Sequence, residues 1–344
     1  TSLYSPPFGT PPPTADGAPI TFETMFGGSA ISPVQDQFLA LYASPHYDTP
    51  YLQQWSFGVS SQFARDWALE VNYIGNKGTH QGMLHLFANQ PRPGVGDLQP
   101  RRPYPDFNIM LFTTTDANTN YHALQTRLTK RWSGGLSLLT SYTFGKSIND
   151  GEGNEGFGGG NGGNLNPQDD NNRGADRGRS YMDARHRFVV SYVWELPFGA
   201  EKRFLNRRGW QNQIVGGWQV SGITTFQSGF PMTIFPDQDY SNTGTLTPRP
   251  DRLCQGDGPK TLEMWFDPSC FTNDALQEAL ANGQPRFGNS GRNILNAPGF
   301  IGWDFALLKT FPMGDRFGLQ FRAEAYSLLN HLNPGVPDAT IGSP

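Results

Sequence analysis

Two cysteines, Cys254 and Cys270, are the residues of this 344-residue chain whose type and spacing most plainly suggest a bond. A C-x15-C pair lacks the two further ligands that a structural zinc site needs. In an oxidising compartment it reads as one disulfide pinning a long Gly- and Pro-rich loop, with two unrelated thiols as the alternative. Oxygen ligands alternate at Asp237-x-Asp239-x-Ser241, a spacing that could hold Ca²⁺, and Asp169-Asp170 is a second acidic pair. The first of these has Asn242 where an EF-hand needs Gly and Pro248 where it needs Glu, so a solvated loop is the plainer reading. Gly151, Gly153 and Gly156 spell a dinucleotide fingerprint, but Phe157-Gly158-Gly159-Gly160 follows, where a helix would have to open. The six histidines are scattered, and His186 between Arg185 and Arg187 reads as a strand-end residue. No nucleophile elbow, triad order or phosphate loop is present. These residues predict no catalytic, cofactor-binding or metal site, and no enzyme.

The composition is unusual for a soluble protein. Charged residues make up 16 % of the chain, against about a quarter in a typical globular domain. Aromatics reach 13 %, with 41 Gly and 28 Pro. A net charge of -4 gives no reason to expect nucleic acid as a partner. No run of about 18 apolar residues exists to form a transmembrane helix. The chain begins at Thr1, which reads as a mature form or a fragment.

Period-two alternation replaces helical periodicity almost everywhere, Asn273 to Ala281 being the best helical stretch. Trp55, Phe57 and Val59 alternate with small polar residues, and after Ala64-Arg65-Asp66 the pattern resumes at Trp67, Leu69, Val71 and Tyr73. It returns at 124–128, 136–144, 188–194, 218–226, 303–307 and 317–323, which makes eight strands of about ten residues each. That is the length a tilted strand needs to cross a bilayer. The fold class expected is all-β: a partial transmembrane antiparallel β-barrel of eight spanning strands, with 1–48 as an external lead-in and 49–344 as the barrel.

A soluble β-sandwich also alternates, and it would pack Phe188, Val190, Tyr192 and Trp194 against a second sheet. Three features favour the membrane. Connections sort into short (64–66, 133–135, 313–316) and long (75–119, 146–185, 229–300), with 197–213 between, as in outer-membrane barrels. This sorting holds if Phe107 to Thr115 belongs to an external excursion rather than to a ninth spanning strand. Polar and charged residues in the strands (Glu70, Arg127, Glu195, Gln219, Arg322, Glu324) share a parity that would face a lumen. Lys130 and Lys309, on the other parity, sit at short-turn ends where they could snorkel to headgroups. Finally, Trp67, Trp132, Trp194 and Trp218 fall at the short-turn ends while Trp55 and Trp303 lie toward the long loops, as two interfacial girdles would.

A set of short segments resembles the C-terminal barrel half of Oar-like TonB-dependent transporters. They include Thr49-Pro50-Tyr51, Tyr73-Ile74-Gly75-Asn76-Lys77-Gly78-Thr79-His80 and Arg101-Arg102-Pro103-Tyr104-Pro105. They continue with Tyr142-Thr143-Phe144-Gly145-Lys146-Ser147, Asp183-Ala184-Arg185-His186-Arg187-Phe188, Gly217-Trp218-Gln219-Val220-Ser221-Gly222, Gln227-Ser228-Gly229-Phe230-Pro231 and Phe321-Arg322-Ala323-Glu324-Ala325-Tyr326. The resemblance implies a roughly 22-stranded barrel with an N-terminal plug, often preceded by a carboxypeptidase-regulatory-like domain. It further implies TonB as a partner engaged through a region outside this sequence, a bilayer with lipopolysaccharide around the wall, and an unidentified ligand taken up at the expense of the proton gradient. A plug, a TonB box and a closing strand are not found in the sequence, so it reads as eight of the last nine strands of a larger barrel. The runner-up is a surface-binding or adhesion barrel without active transport.

Overall fold

In the computed structural model, which describes residues 40–85, 88–108, 110–151, 167–206, 209–313 and 316–342, the alternating segments form one antiparallel meander. Its long strands are β1 (Tyr51–Ala64), β2 (Trp67–His85), β3 (Met110–Ser133), β4 (Leu136–Asn149), β5 (His186–Glu195), β6 (Trp218–Gln227), β7 (Phe300–Met313) and β8 (Phe317–Ala325). Each pairs with its neighbours in sequence, without a crossover. Among the described residues no second sheet covers the face carrying Phe188, Val190, Tyr192 and Trp194, so the sandwich reading fails; the Trp194 side chain is 41 % exposed.

Register turns the alternation into two faces. Val59, Val71, Thr126, Tyr142, Phe188, Phe226 and Ile301 occupy successive partner positions across seven strands. One residue along each strand lies the row Ser60, Glu70, Arg127, Ser141, Val189, Thr225 and Gly302. Because neighbouring residues point to opposite sides of a strand, the first row belongs wholly to one face and the second to the other. The β3–β4 turn closes tightly because Gly134 and Gly135 both take positive φ (57° and 79°), the pattern of a type I′ hairpin.

The strands outrun their expected length: β2 has 19 residues and β3 has 24. The connection expected over 75–119 therefore shrinks to the residues after His85 and before Met110. The stretch Phe107 to Thr115 is not a separate hairpin. From Met110 onward it is the head of β3, paired with the head of β2 and with a short parallel strand at Ala40–Ala43. The count of eight long strands stands. The lead-in expected over 1–48 is seen only from Ala40, and the fingerprint-like glycines after Gly151 lie outside the described residues.

Beyond the long-loop end, the connection from β6 to β7 folds on itself. Met232, Ile234, Cys270, Phe271, Leu295 and Ala297 form a core that Ile341 joins from the far side of β8. Cys254 and Cys270 form the expected disulfide, with 4.9 Å between their Cα atoms. The expected helix appears as α1 (Asp274–Ala281), burying Leu276.

Candidate functional site

At the short-turn end, the outward row ends in lysine under tryptophan. Lys130 Nζ donates to the carbonyls of Ser133 (2.7 Å) and Leu136 (2.9 Å) and lies 5.9 Å from the Trp67 ring. Lys309 Nζ donates to the Gly216 carbonyl and, at 3.3 Å, to that of Ile214, 5.1 Å from the Trp218 ring. Ile214 and Gly216 end a short helix, Trp210–Val215, whose last carbonyls have no partner within the helix. Both ammonium groups, at the short-turn end where the sequence suggested snorkelling, satisfy turn carbonyls. A cation at a helix C-terminus is also favoured by the helix dipole. Trp67, Trp194 and Trp218 hold this rim, whereas Trp132 sits in the irregular stretch where the β3–β4 register shifts between Lys130 and Ser133.

Toward the other rim, aromatic side chains pair with histidine. Tyr73 Oη lies 2.7 Å from His122 Nδ1, and Tyr142 Oη lies 2.9 Å from His186 Nδ1. The Trp55 ring is 6.0 Å from that of His122 and packs over Gly75, where any Cβ would clash with the indole. Trp303 Nε1 donates to Tyr192 Oη at 3.2 Å. Sequence reasoning marked Trp55, Trp303 and His186 but missed these tyrosine–histidine pairs, because the partners are 49 and 44 residues apart. Only the register brings them together.

The six polar strand residues share one face of the sheet, opposite the row of Val59, Val71, Tyr142 and Phe188. Glu70 stands directly opposite Arg127 and Glu195 opposite Gln219; Arg322 is paired with Glu324 in an ion pair. Gln219 and Arg322 both flank Leu308, so the row crosses β6, β7 and β8.

Above the strands, the loops form a cap laced by buried arginine. Arg249 meets Asp176 at 2.7 Å with both side chains 4 % exposed, and Arg292 Nε donates to the Asp176 carbonyl. Burial pushes the Asp176 carboxyl up, against the pull of those two arginines. Hydrogen bonds from Arg286, at 2.5 and 2.9 Å, hold the Asp251 carboxyl below its ordinary range. The alternating acids at 237–241 are spent internally. Asp239 accepts from the Ser241, Thr243 and Gly244 N–H groups at 2.8–3.0 Å, and Asp237 accepts from Tyr240 and Asn273. Two clefts open in the cap, of about 390 Å³ and 510 Å³, sharing Arg92, Pro93 and Asn171; Arg286 lines the first and Arg101 the second.

A wall polar on one side and apolar on the other, with short turns at one end and a folded cap at the other, has the build of a barrel in a bilayer. The family model described as an outer membrane beta barrel domain matches residues 1–344. The chain belongs to that family. This outer-membrane barrel is similar to the outer membrane transporter YddB from Escherichia coli, at 11 % identity and a TM-score of 0.43. The match covers 88 % of this chain and 33 % of that one, so the chain spans about a third of the transporter's length. No curated protein matches the barrel at all closely. Its short turns face the periplasm and its cap faces outward.

The upper arms of β2 and β3 stand above the bilayer. His85 is roughly 40 Å up the tilted hairpin from Trp67, past an apolar band of about 25 Å. There its ring is 5 % exposed, with Nδ1 2.5 Å from Asp170 and Nε2 3.6 Å from Asp116, which Arg173 also grips. Burial disfavours the imidazolium, but hydrogen bonds to Asp116 and Asp170 outweigh it and raise the His85 pKa to about 9. Partial burial pushes the half-exposed Asp116 carboxyl up, but His85, Thr114 and Arg173 outweigh it and hold it well below the usual carboxylate range. A raised histidine pKa stabilises fully below its ordinary value of 6.5 and is lost as pH rises through about 9. The depressed Asp116 acts oppositely, stabilising above its ordinary value of 3.8 and failing in stronger acid. Proteolysis of the 167–177 segment is therefore expected to be slowest between about pH 4 and 6.5 and to accelerate toward pH 9. In His85→Gln the alkaline acceleration should vanish; an unchanged profile would show that the His85–Asp170 contact does not hold this segment.

The disulfide closes a loop of 16-residue separation, for which chain entropy alone gives about 3 kcal/mol. The Asp251–Arg286 pair and the core around Phe271 already hold the ends together, so the expected loss in Cys254→Ser/Cys270→Ser is about 2 kcal/mol. Native-state hydrogen exchange should place that loss in the cap and leave the strand amides unchanged.

Proposed function

We propose that the barrel is wall and cap of a TonB-dependent, Oar-like transporter that binds an unidentified ligand outside and passes it inward. The supporting observation is the combination of a polar inward face with a folded external cap. Glu70, Arg127, Gln219, Arg322 and Glu324 line the path, and the clefts around Arg92 offer the first contact. The wall sits among outer-membrane lipids, including lipopolysaccharide. TonB engages a plug encoded outside this sequence. The protein moves its ligand without converting it and binds no nucleic acid.

Two measurements on the full-length parent test this. Cysteines at Arg65 in a periplasmic turn and Gln284 in the cap are treated with a membrane-impermeant thiol reagent in intact cells. Labelling at Gln284 alone is the expected result, and equal labelling would overturn the orientation. Site-specific photocrosslinking from the region upstream of Thr1 should then trap TonB. A correctly oriented barrel with neither a plug nor a TonB crosslink would be a surface-binding barrel instead.

A further inference from the structure

The outward face carries a cleft that neither the lumen nor the external clefts account for. Its volume is about 630 Å³. Phe188 and Phe226, cross-strand partners with ring centroids 6.3 Å apart, form its floor with Ile301. These residues continue the apolar rows of β5, β6 and β7. With strands tilted at about 45°, Ile301 stands about 19 Å above Lys309, inside an apolar band of about 25 Å and in its outer half. The cleft therefore opens at the outer edge of that band, where acyl chains meet headgroups.

Its walls are built rather than incidental. Trp265 is fixed by a 2.7 Å hydrogen bond from Nε1 to the Asn296 carbonyl. On the other side, Asn333 clamps Ile301 through both its backbone groups, at 2.8 and 3.0 Å, and so sets His331, Leu332 and Pro334 in place. Above, a tight turn closed by the Thr261 N–H on the Met264 carbonyl projects Leu262, 68 % exposed, and Met264, 47 % exposed. Such side chains gain from burial in lipid and have no apolar partner in water.

The charge in the lining has one sign. Lys260 is its single fixed charge and no carboxylate lines it, while His186 and His331 add further nitrogen donors. The Lys260 ammonium lies 5.4 Å from the Trp265 ring and pairs at 3.5 Å with Asp257, an exposed partner outside the lining that a phosphate would replace. We infer that this cleft binds a phosphorylated, acylated glycolipid of the outer leaflet, taking an acyl chain between Phe188, Phe226 and Trp265 and a phosphate at Lys260. The inference rests on the outer-membrane location and is independent of transport.

The test uses full-length protein purified from outer membranes in detergent, with lipid A as the probe and phosphatidylethanolamine as the competitor. Native mass spectrometry should find about one tightly retained lipid A per chain, and bromine on its acyl chain should quench Trp265 fluorescence relative to a Trp265→Phe variant. Lys260→Glu/Leu262→Glu should weaken retention by about tenfold or more, the loss of one charge contact and one apolar contact. Gln277→Glu on α1, also in the cap, should leave it unchanged. Equal retention by the wild type and the double variant would overturn the assignment, as would equal retention of phosphatidylethanolamine. A Trp265 already shielded in lipid-free protein would also overturn it, since another protein segment would then occupy the cleft. Heat-modifiable migration in each preparation separates loss of the site from loss of the barrel.

Discussion

Val190→Arg is expected to destabilise the barrel by about 2–4 kcal/mol, whereas Val189→Arg, one residue away, should cost about 1 kcal/mol or less. The two valines have the same chemistry and nearly the same depth on β5. They differ only in face. Val190 lies between Thr140 and Thr224 on the row that continues to Trp303, and Val189 lies between Ser141 and Thr225 on the row that includes Arg127. An arginine at 190 must desolvate its guanidinium among acyl chains or distort the bilayer to reach water. At 189 it joins a face that already carries Glu70, Arg127 and Arg187. Urea titration of the full-length parent, folded into vesicles and followed by heat-modifiable migration, measures both. Equal costs would mean that the faces are assigned wrongly, and a larger cost at 189 would mean that they are reversed.

The faces were legible in the sequence because the side-chain period of a strand is two, and a bilayer punishes any charge that breaks it. Glu70, Arg127, Gln219 and Glu324 could be placed together without knowing which strands are neighbours. Strand length was less legible. Above the bilayer the heads of β2 and β3 are wrapped by cap rather than lipid, so Met83, Ala117, Thr114 and His85 are all buried and alternation fades. The lysines lie at the short-turn end, as read, but their carbonyl partners were not foreseen. For Lys309 those partners end the helix at Trp210–Val215, which is too short and irregular to leave a periodic signal. The disulfide was inferred by elimination from two cysteines, and the cap core around it was not foreseen. That core draws on residues as far apart as Met232 and Ile341, and no local pattern links them. The outward cleft escaped notice for the same reason, since its floor comes from the strands and its walls from two separate loops.

The cap offers the sharpest separation between order and stability. Asp176→Asn should cost about 3–5 kcal/mol of cap stability, because it leaves the Arg249 guanidinium buried without a counter-charge. Asp176 also accepts from the Gln168 N–H at 3.2 Å, and its backbone carbonyl receives Arg292, whose Nη2 reaches Asn149 at the top of β4. The pair thus ties the 167–177 loop, the 237–251 loop and the strand top into one body. Yet desolvating both ions opposes their attraction, as the upward push on the Asp176 carboxyl indicates. A charge-free replacement of similar volume, Asp176→Leu/Arg249→Met, should therefore recover most of what the single variant loses. Hydrogen exchange of the cap amides would read this directly, with the β4–β6 amides as an internal reference. If the double variant were no more stable than Asp176→Asn, the pair would be a true source of stability rather than a device that fixes which loops meet. Recovery of stability with a changed pattern of protected cap amides would show instead that the ions select one packing of the loops, at a cost the disulfide-pinned core is able to bear.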